Sequence, residues 1–142
     1  MDVTQLPFNR HIGLEPCPDD SVFLVSLPEG PQYLNHLGTI HASALLAVAE
    51  AGSGAFLVRH FASGANGAAG VVPVVRRLEA KFKKPARGRV SARCDVGAEK
   101  IARWSEAFAT KDRMSICIPV EVIDTAGVVV LSAVVEWLVA RA

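Results

Sequence analysis

Residues 39 to 61, "TIHASALLAVAEAGSGAFLVRHF", contain no proline and put apolar side chains on nearly every face of a helix rather than along one stripe. A helix of that kind is buried all round, so the rest of the chain must cover it. Gly52 and Gly54 would each cost about 1 kcal/mol relative to Ala in an exposed helix. Their presence predicts that the helix closely approaches a neighbouring sheet.

The flanking segments supply that sheet. "VFLVSL", 22 to 27, is a short apolar run closed by Pro28 and the Gly30-Pro31 turn signal, and it reads as a first strand. From Val71 the period becomes two: Val74, Leu78, Ala80 and Phe82 face one way, and Arg77, Glu79, Lys81 and Lys83 the other. "KPARG", 84 to 88, is turn chemistry, and Val90, Ala92, Cys94 and Val96 alternate in what reads as the hairpin partner of that strand. Ile101, Trp104 and Phe108 share one face of a short amphipathic helix over 98 to 110, expected as a cover. Met114 to Val122 alternates again, and "DTAG", 124 to 127, turns it into "VVVLSAVVEWLVA", which gives a second hairpin. The glycine- and alanine-rich "SGANGAAG", 63 to 70, reads as a flexible connector with the makings of a loop at a site. The expected architecture is one α+β domain over residues 1 to 142, a long central helix wrapped by a curved antiparallel sheet of about five strands. Residues 1 to 21 are an irregular lead-in with one short helical turn.

Composition narrows the function classes. With 51% hydrophobic residues and 20% charged, the chain is more apolar than an average soluble protein, which points to surface covered by another subunit. Fifteen Lys and Arg against fourteen Asp and Glu leave a formal charge of +1, which argues against a dedicated nucleic-acid or membrane-surface binder. Cys17, Cys94 and Cys117 are too widely spaced for a disulfide framework or a zinc set, and none has a readable His partner; His11 and His60 also lack metal-ligand spacing. No metal is expected. A reducing cytoplasm, with no secretory signal, is the expected compartment. The apolar C-terminal run is broken by Glu121, Asp124, Gly127 and Glu136, short of the roughly 20 residues a membrane span needs.

Within the apolar helix stands one carboxylate, Glu50. Burying it ionised and unpaired costs several kcal/mol or more, so it must be paired, protonated or open to a cleft. Four residues to either side lie Leu46 and Gly54, so no local ion pair is available. Emergence at the sheet edge or pairing with a distant arginine is the structural alternative to a catalytic acid. Upstream, Asn35, His36, Gly38 and His41 lead into the helix, whose unpaired N–H groups and positive dipole end suit a developing negative oxygen. His41 and Glu50 are nine residues apart, roughly 13.5 Å along the axis and on opposite faces. If both serve one reaction, each site must combine the carboxylate of one subunit with the loop of another across a two-fold axis.

"NHLGTIHASALLAVAEAG", 35 to 52, resembles the signature of hotdog-fold acyl-CoA thioesterases of the phenylacetate-pathway type: Asn, two residues, Gly, two residues, His-Gly-Gly, then Leu-Ala-Asp or Glu. Asn35, Gly38, His41 and Glu50 fall in register without a gap, and the resemblance extends over roughly residues 22 to 140, including the basic turn at 82 to 88. It implies a homodimer, or a dimer of dimers, that hydrolyses a thioester with Glu50 as general base or nucleophile. Asn35 would assist the water or carbonyl, His41 would shape the loop and the N–H of Ala42 would form the oxyanion hole. The family's Gly-Gly is Ala42-Ser43 here, and the added methyl crowds the thioester position. Gly38, Ser43, Lys84, Arg87 and Arg89 are the expected substrate contacts, with coenzyme A entering as part of the substrate and no separate cofactor. The basic residues Arg76, Arg77, Lys81, Lys83, Lys84, Arg87, Arg89 and Arg93 would lie within a single hairpin, where solvated strand faces account for most of them and a phosphate clamp is the functional alternative. The rival readings are a non-catalytic hotdog module that binds an acyl-CoA or serves in assembly, and a hotdog dehydratase or hydratase.

Overall fold

The computed structural model describes residues 1–61 and 71–142; the connector expected at 63 to 70 lies outside the described residues. The lead-in carries a 3-10 turn (Val3–Gln5), a short helix α1 (Pro7–His11) and a two-residue strand β1 (Glu15–Pro16). Asp2 accepts the Thr4 N–H at 2.9 Å, and the buried Asn9 amide donates to the Val3 carbonyl at 2.9 Å, so this segment is more ordered than its prolines suggest. Then come β2 (Val25–Leu27), a 3-10 turn (Pro31–Tyr33), α2 (Ala42–Phe61), β3 (Val71–Phe82), β4 (Val90–Arg93), α3 (Ala98–Thr110), β5 (Arg113–Asp124) and β6 (Val129–Arg141). One antiparallel sheet of six strands, in the order β1-β2-β4-β5-β6-β3, packs against α2. The sixth strand, beyond the five expected, is β1.

The second hairpin forms as expected. The Asp124 side chain accepts the N–H groups of Ala126 and Val128 at 2.9 Å each, and Gly127 takes φ +81°, a conformation that costs glycine little. The first hairpin does not form. β3 pairs with β6, whereas β4 lies between β2 and β5, so the two strands joined by "KPARG" sit far apart in the sheet. The turn residues are present, but the long β6 offers eleven partners to β3 and the chain crosses the start of α2 instead of folding back. The assigned faces of β3 also change. A bulge between Val75 and Arg77 shifts the phase, so Val71, Pro73, Val75 and Leu78 turn inward while Val74 is 50% exposed.

Gly52 and Gly54 are explained by what they touch. A Cβ on Gly52 would collide with the Cβ of Ala92 in β4; one on Gly54 would reach Trp137 of β6 at 3.4 Å, an ordinary contact. Between them, Ser53 is fully buried and satisfied: its hydroxyl donates to the Glu50 carbonyl at 2.8 Å and accepts the Trp137 indole N–H at 2.9 Å. The helix is thereby pinned to β4 and β6 on either side of the turn that carries Glu50. α3 closes the end of the core: Phe108 is buried under the Arg141 guanidinium, 4.9 Å from its ring, and Trp104 lies 6.5 Å from Phe61.

Candidate active site

The helix starts at Ala42, later than the Thr39 expected, because the preceding backbone is committed elsewhere. Thr39 gives its carbonyl to the Asn35 N–H at 2.8 Å, and Ile40 gives its N–H to the Ala86 carbonyl at 2.9 Å. His41 therefore occupies the N-cap position. Its ring Nδ1 accepts the Ser43 N–H at 3.0 Å, and its carbonyl accepts Ala44 and Leu45 at 3.0 and 3.2 Å.

Asn35 is the keystone of the loop before it. Its side-chain oxygen accepts the N–H groups of Leu37 at 2.9 Å and Thr39 at 3.1 Å, and its amide nitrogen donates to the Thr39 hydroxyl at 2.9 Å. The Asn-to-Thr spacing of four is the sequence signal for this turn. Gly38, in the same turn, has φ +70°, which accounts for the glycine, and its carbonyl accepts Arg87 Nη1 at 2.7 Å.

Beside the helix start lies an open cavity of about 320 Å³, lined by Asn35, Thr39, Ile40, Ala42, Leu45, Phe82, Lys83, Lys84, Pro85 and Ala86. Of the expected site residues, the fold brings Asn35, Ala42 and Lys84 to this wall. Lys83, one of the cations considered for a phosphate clamp, joins them, as do Phe82 and Leu45, which were not expected at the site. Arg87 and Gly38 line an adjacent cleft of about 510 Å³, with Tyr33, Leu34 and Ile40. Ser43 and the His41 ring do not line the first cavity.

Arg89 goes elsewhere. It is held by Glu15 at 2.6 Å and by Ser26 at 2.8 Å, a bridge that ties β1 to the sheet. Arg93 is paired with Glu121 at 3.1 Å, and Arg77 with Glu79 and Glu136. The expected cluster of eight cations is thus dispersed over β3, β4 and the segment joining them, because β3 and β4 are not neighbours. Lys83, Lys84 and Arg87 remain close to the helix start.

Glu50 is half-buried, and its carboxyl has no hydrogen-bond or ion-pair partner among the described residues. Burial in apolar surroundings raises its pKa above the ordinary glutamate value. It is not among the residues lining the cavity at the helix start. Helix geometry places residues nine apart on opposite faces, so a single helix does not direct the carboxylate and the loop at one point.

Cys94 and Cys17 are poor nucleophiles. Burial pushes Cys94 up to about 12 and also raises Cys17, so both stay protonated at neutral pH. Among the described residues, no three of His, Cys, Asp and Glu converge as metal ligands.

The comparisons with known proteins bear on this arrangement. The family described as a domain of unknown function, DUF4442, matches residues 18–139. No curated protein matches the chain. Among solved structures, a Pseudomonas aeruginosa protein of unknown function, named as a probable thioesterase, is 22% identical with a TM-score of 0.80, covering 99% of this chain and 91% of its own. A Bacillus halodurans protein solved with CoA is 19% identical with a TM-score of 0.66, covering 90% of this chain and 72% of its own. A mutant thioesterase enzyme from Staphylococcus aureus is 11% identical with a TM-score of 0.68, covering 95% and 99%. At these identities the likeness establishes the hotdog fold, the helix-in-sheet architecture expected from the sequence.

Proposed function

The chain belongs to the DUF4442 family, and on that premise we propose that it hydrolyses an acyl thioester of coenzyme A at a site shared between two copies of itself. The observation that carries the reading is Glu50, a half-buried acid in an apolar helix with no partner among the described residues. Keeping such a group costs stability, and a water to be deprotonated accounts for the cost. The thioesterase names and the bound CoA among the structural neighbours support the substrate class. The register of Asn35, Gly38, His41 and Glu50 supports the phenylacetate-pathway type within it.

The proposed reaction uses groups already described. Water attacks the thioester carbonyl carbon while Glu50 of the partner subunit takes its proton. The carbonyl oxygen becomes an oxyanion held by the Ala42 N–H, which has no partner among the described residues. The C–S bond then breaks, the carbonyl re-forms as a carboxylic acid, and the proton on Glu50 passes to the departing thiolate. Asn35, whose oxygen is engaged in its own turn, would act through its second amide hydrogen. The subunit seam is proposed at β3, the terminal strand of the sheet, where Val72 and Val74 are 48% and 50% exposed.

Mixed dimers test the shared site. Ala42→Pro deletes the N–H of Ala42 at a helix position that tolerates proline, and Glu50→Gln deletes the base. Each variant alone is expected to be inactive. Co-expressed in equal amounts, they should recover about a quarter of wild-type turnover, because half the dimers then contain one intact site. Continued inactivity of the mixture would place carboxylate and oxyanion donor on one chain. In a separate measurement, Lys83→Ala/Lys84→Ala should raise KM for acyl-CoA by a few-fold with kcat little changed, and added salt should shrink the difference, as expected for exposed cations facing phosphates.

The commitment of the Asn35 side chain to its turn, with the Ala42 methyl, favours a second reading: a module that binds acyl-CoA without cleaving it. Saturable CoA binding with no turnover across a panel of acyl chain types would select it.

A further inference from the structure

We infer that Ser53 and Trp137 are positioning residues for the hydrolysis proposed above, the hydrogen bond between them setting how α2 is turned about its axis and hence where Glu50 points. Ser53 is fully buried; its hydroxyl donates to the Glu50 carbonyl at 2.8 Å and accepts the Trp137 indole N–H at 2.9 Å. A line of bonds thus runs from β6 into the peptide group of the acid. The Glu50 carboxyl itself has no hydrogen-bond or ion-pair partner among the described residues, so its backbone and its rotamer place it.

That backbone needs outside support. Gly52-Ser53-Gly54 joins two poor helix formers to a serine that back-bonds three residues up the helix, features that loosen or bend helices. Gly52 lies so close to Ala92 that α2 cannot approach β4 further, which fixes a distance but leaves the helix able to roll. The Ser53–Trp137 bond, between an indole N–H whose direction the ring fixes and a hydroxyl buried in the core, stops the roll. Residues 50 and 53 stand about 60° apart around the helix, so a roll that breaks this bond carries the carboxyl with it. Alanine and phenylalanine would fill much of the same space with no polar group to satisfy, and a buried hydrogen bond adds little net stability; what it adds is direction. Direction matters at this residue because misplacing a reacting group by about 1 Å costs on the order of 10²-fold in rate.

Kinetics separates aiming from packing. Trp137→Phe removes the indole N–H and orphans no buried group, so it decides the question should Ser53→Ala, which leaves that N–H buried and unpaired, fail to fold. On an acyl-CoA that the wild type hydrolyses, each variant should lose about 10- to 100-fold in kcat with KM nearly unchanged, and the double variant should lose no more than either. In a Glu50→Gln background, where there is no carboxylate to aim, neither should lower the residual rate further. Val139→Ala, which opens a cavity at a fully buried position of the same strand and leaves the bond intact, should lower Tm while keeping kcat within about twofold. Hydrogen exchange reads the bond itself: the Trp137 indole N–H should exchange far more slowly than that of Trp104, and should lose that protection in Ser53→Ala. A Trp137→Phe enzyme as fast as the wild type, a loss confined to KM, an equal loss in the Glu50→Gln background, or a wild-type Trp137 indole that exchanges like that of Trp104 overturns the assignment while wild-type hydrolysis stands. A wild type that turns over no thioester instead removes the hydrolase reading, and the aiming role falls with it even where the indole is protected.

Discussion

Glu50→Gln is expected to lower kcat by about 10²- to 10⁴-fold, the usual worth of a positioned general base, while raising thermal stability at neutral pH. Both effects come from one cause. The carboxyl is removed from water by apolar neighbours and given no compensating partner, so its pKa stands above the ordinary glutamate value. A raised carboxylate pKa means that folding favours the protonated form. Its stabilising contribution is complete below the unfolded-state pKa and is lost as pH rises through the folded-state pKa. Above the folded-state pKa the wild type therefore carries a charge that the fold disfavours, and glutamine removes it at nearly constant volume. Melting curves should show the variant more stable at pH 7, with the difference closing as pH falls below the ordinary glutamate range. Activity has the opposite dependence, since a general base works deprotonated. Wild-type kcat/KM should fall with decreasing pH through an acid limb displaced upward from that range. A variant with wild-type turnover would remove the carboxylate from the mechanism, and one less stable than the wild type at pH 7 would show that the fold stabilises the charge.

The second large effect concerns two glycines only two residues apart. Helix propensity alone says that Gly52→Ala and Gly54→Ala should each stabilise by about 1 kcal/mol. The surroundings reverse the first. A methyl at position 52 meets the Cβ of Ala92 on a buried strand with no flexible side chain to give way, and overpacking of that kind costs about 1–3 kcal/mol. Gly52→Ala should thus be destabilising by up to about 2 kcal/mol net, and Gly52→Val, which adds bulk facing Val120 as well, by about 3 kcal/mol or more. Gly54→Ala, whose methyl would rest 3.4 Å from the Trp137 ring, should be neutral or stabilising. Denaturant melts of the three variants decide it. A compensating Ala92→Gly should recover much of the Gly52→Ala loss, because both act at one contact.

The two glycines also mark how far the sequence could be read. Their presence in an apolar helix announced a close sheet, but only the packing separates the position that rejects a methyl from the one that accepts it. The same division runs through the site. Asn35, Gly38, His41 and Glu50 could be picked out because a lone acid in an apolar helix and a polar loop at its start are local patterns, visible as spacing. That Asn35 binds its own turn, that His41 caps the helix through Nδ1 and that Arg89 is held by Glu15 depends on which backbone groups lie nearby. Phe82 and Lys83 reach the cavity wall because β3 ends beside the helix start, a placement no local pattern encodes.

Periodicity and turn chemistry determined by themselves that this chain has a long apolar central helix, long alternating strands and a tight β5–β6 turn. These are properties of neighbours in the chain, and 3.6- and 2-residue periods report them directly. The order of the strands was decided by tertiary structure alone. Residues that alternate correctly for a β3–β4 hairpin alternate equally well for pairing with β6, and the choice between them depends on how much apolar surface each arrangement buries over α2. The phase of β3 ahead of the bulge was decided the same way, since a bulge takes its position from the partner strand.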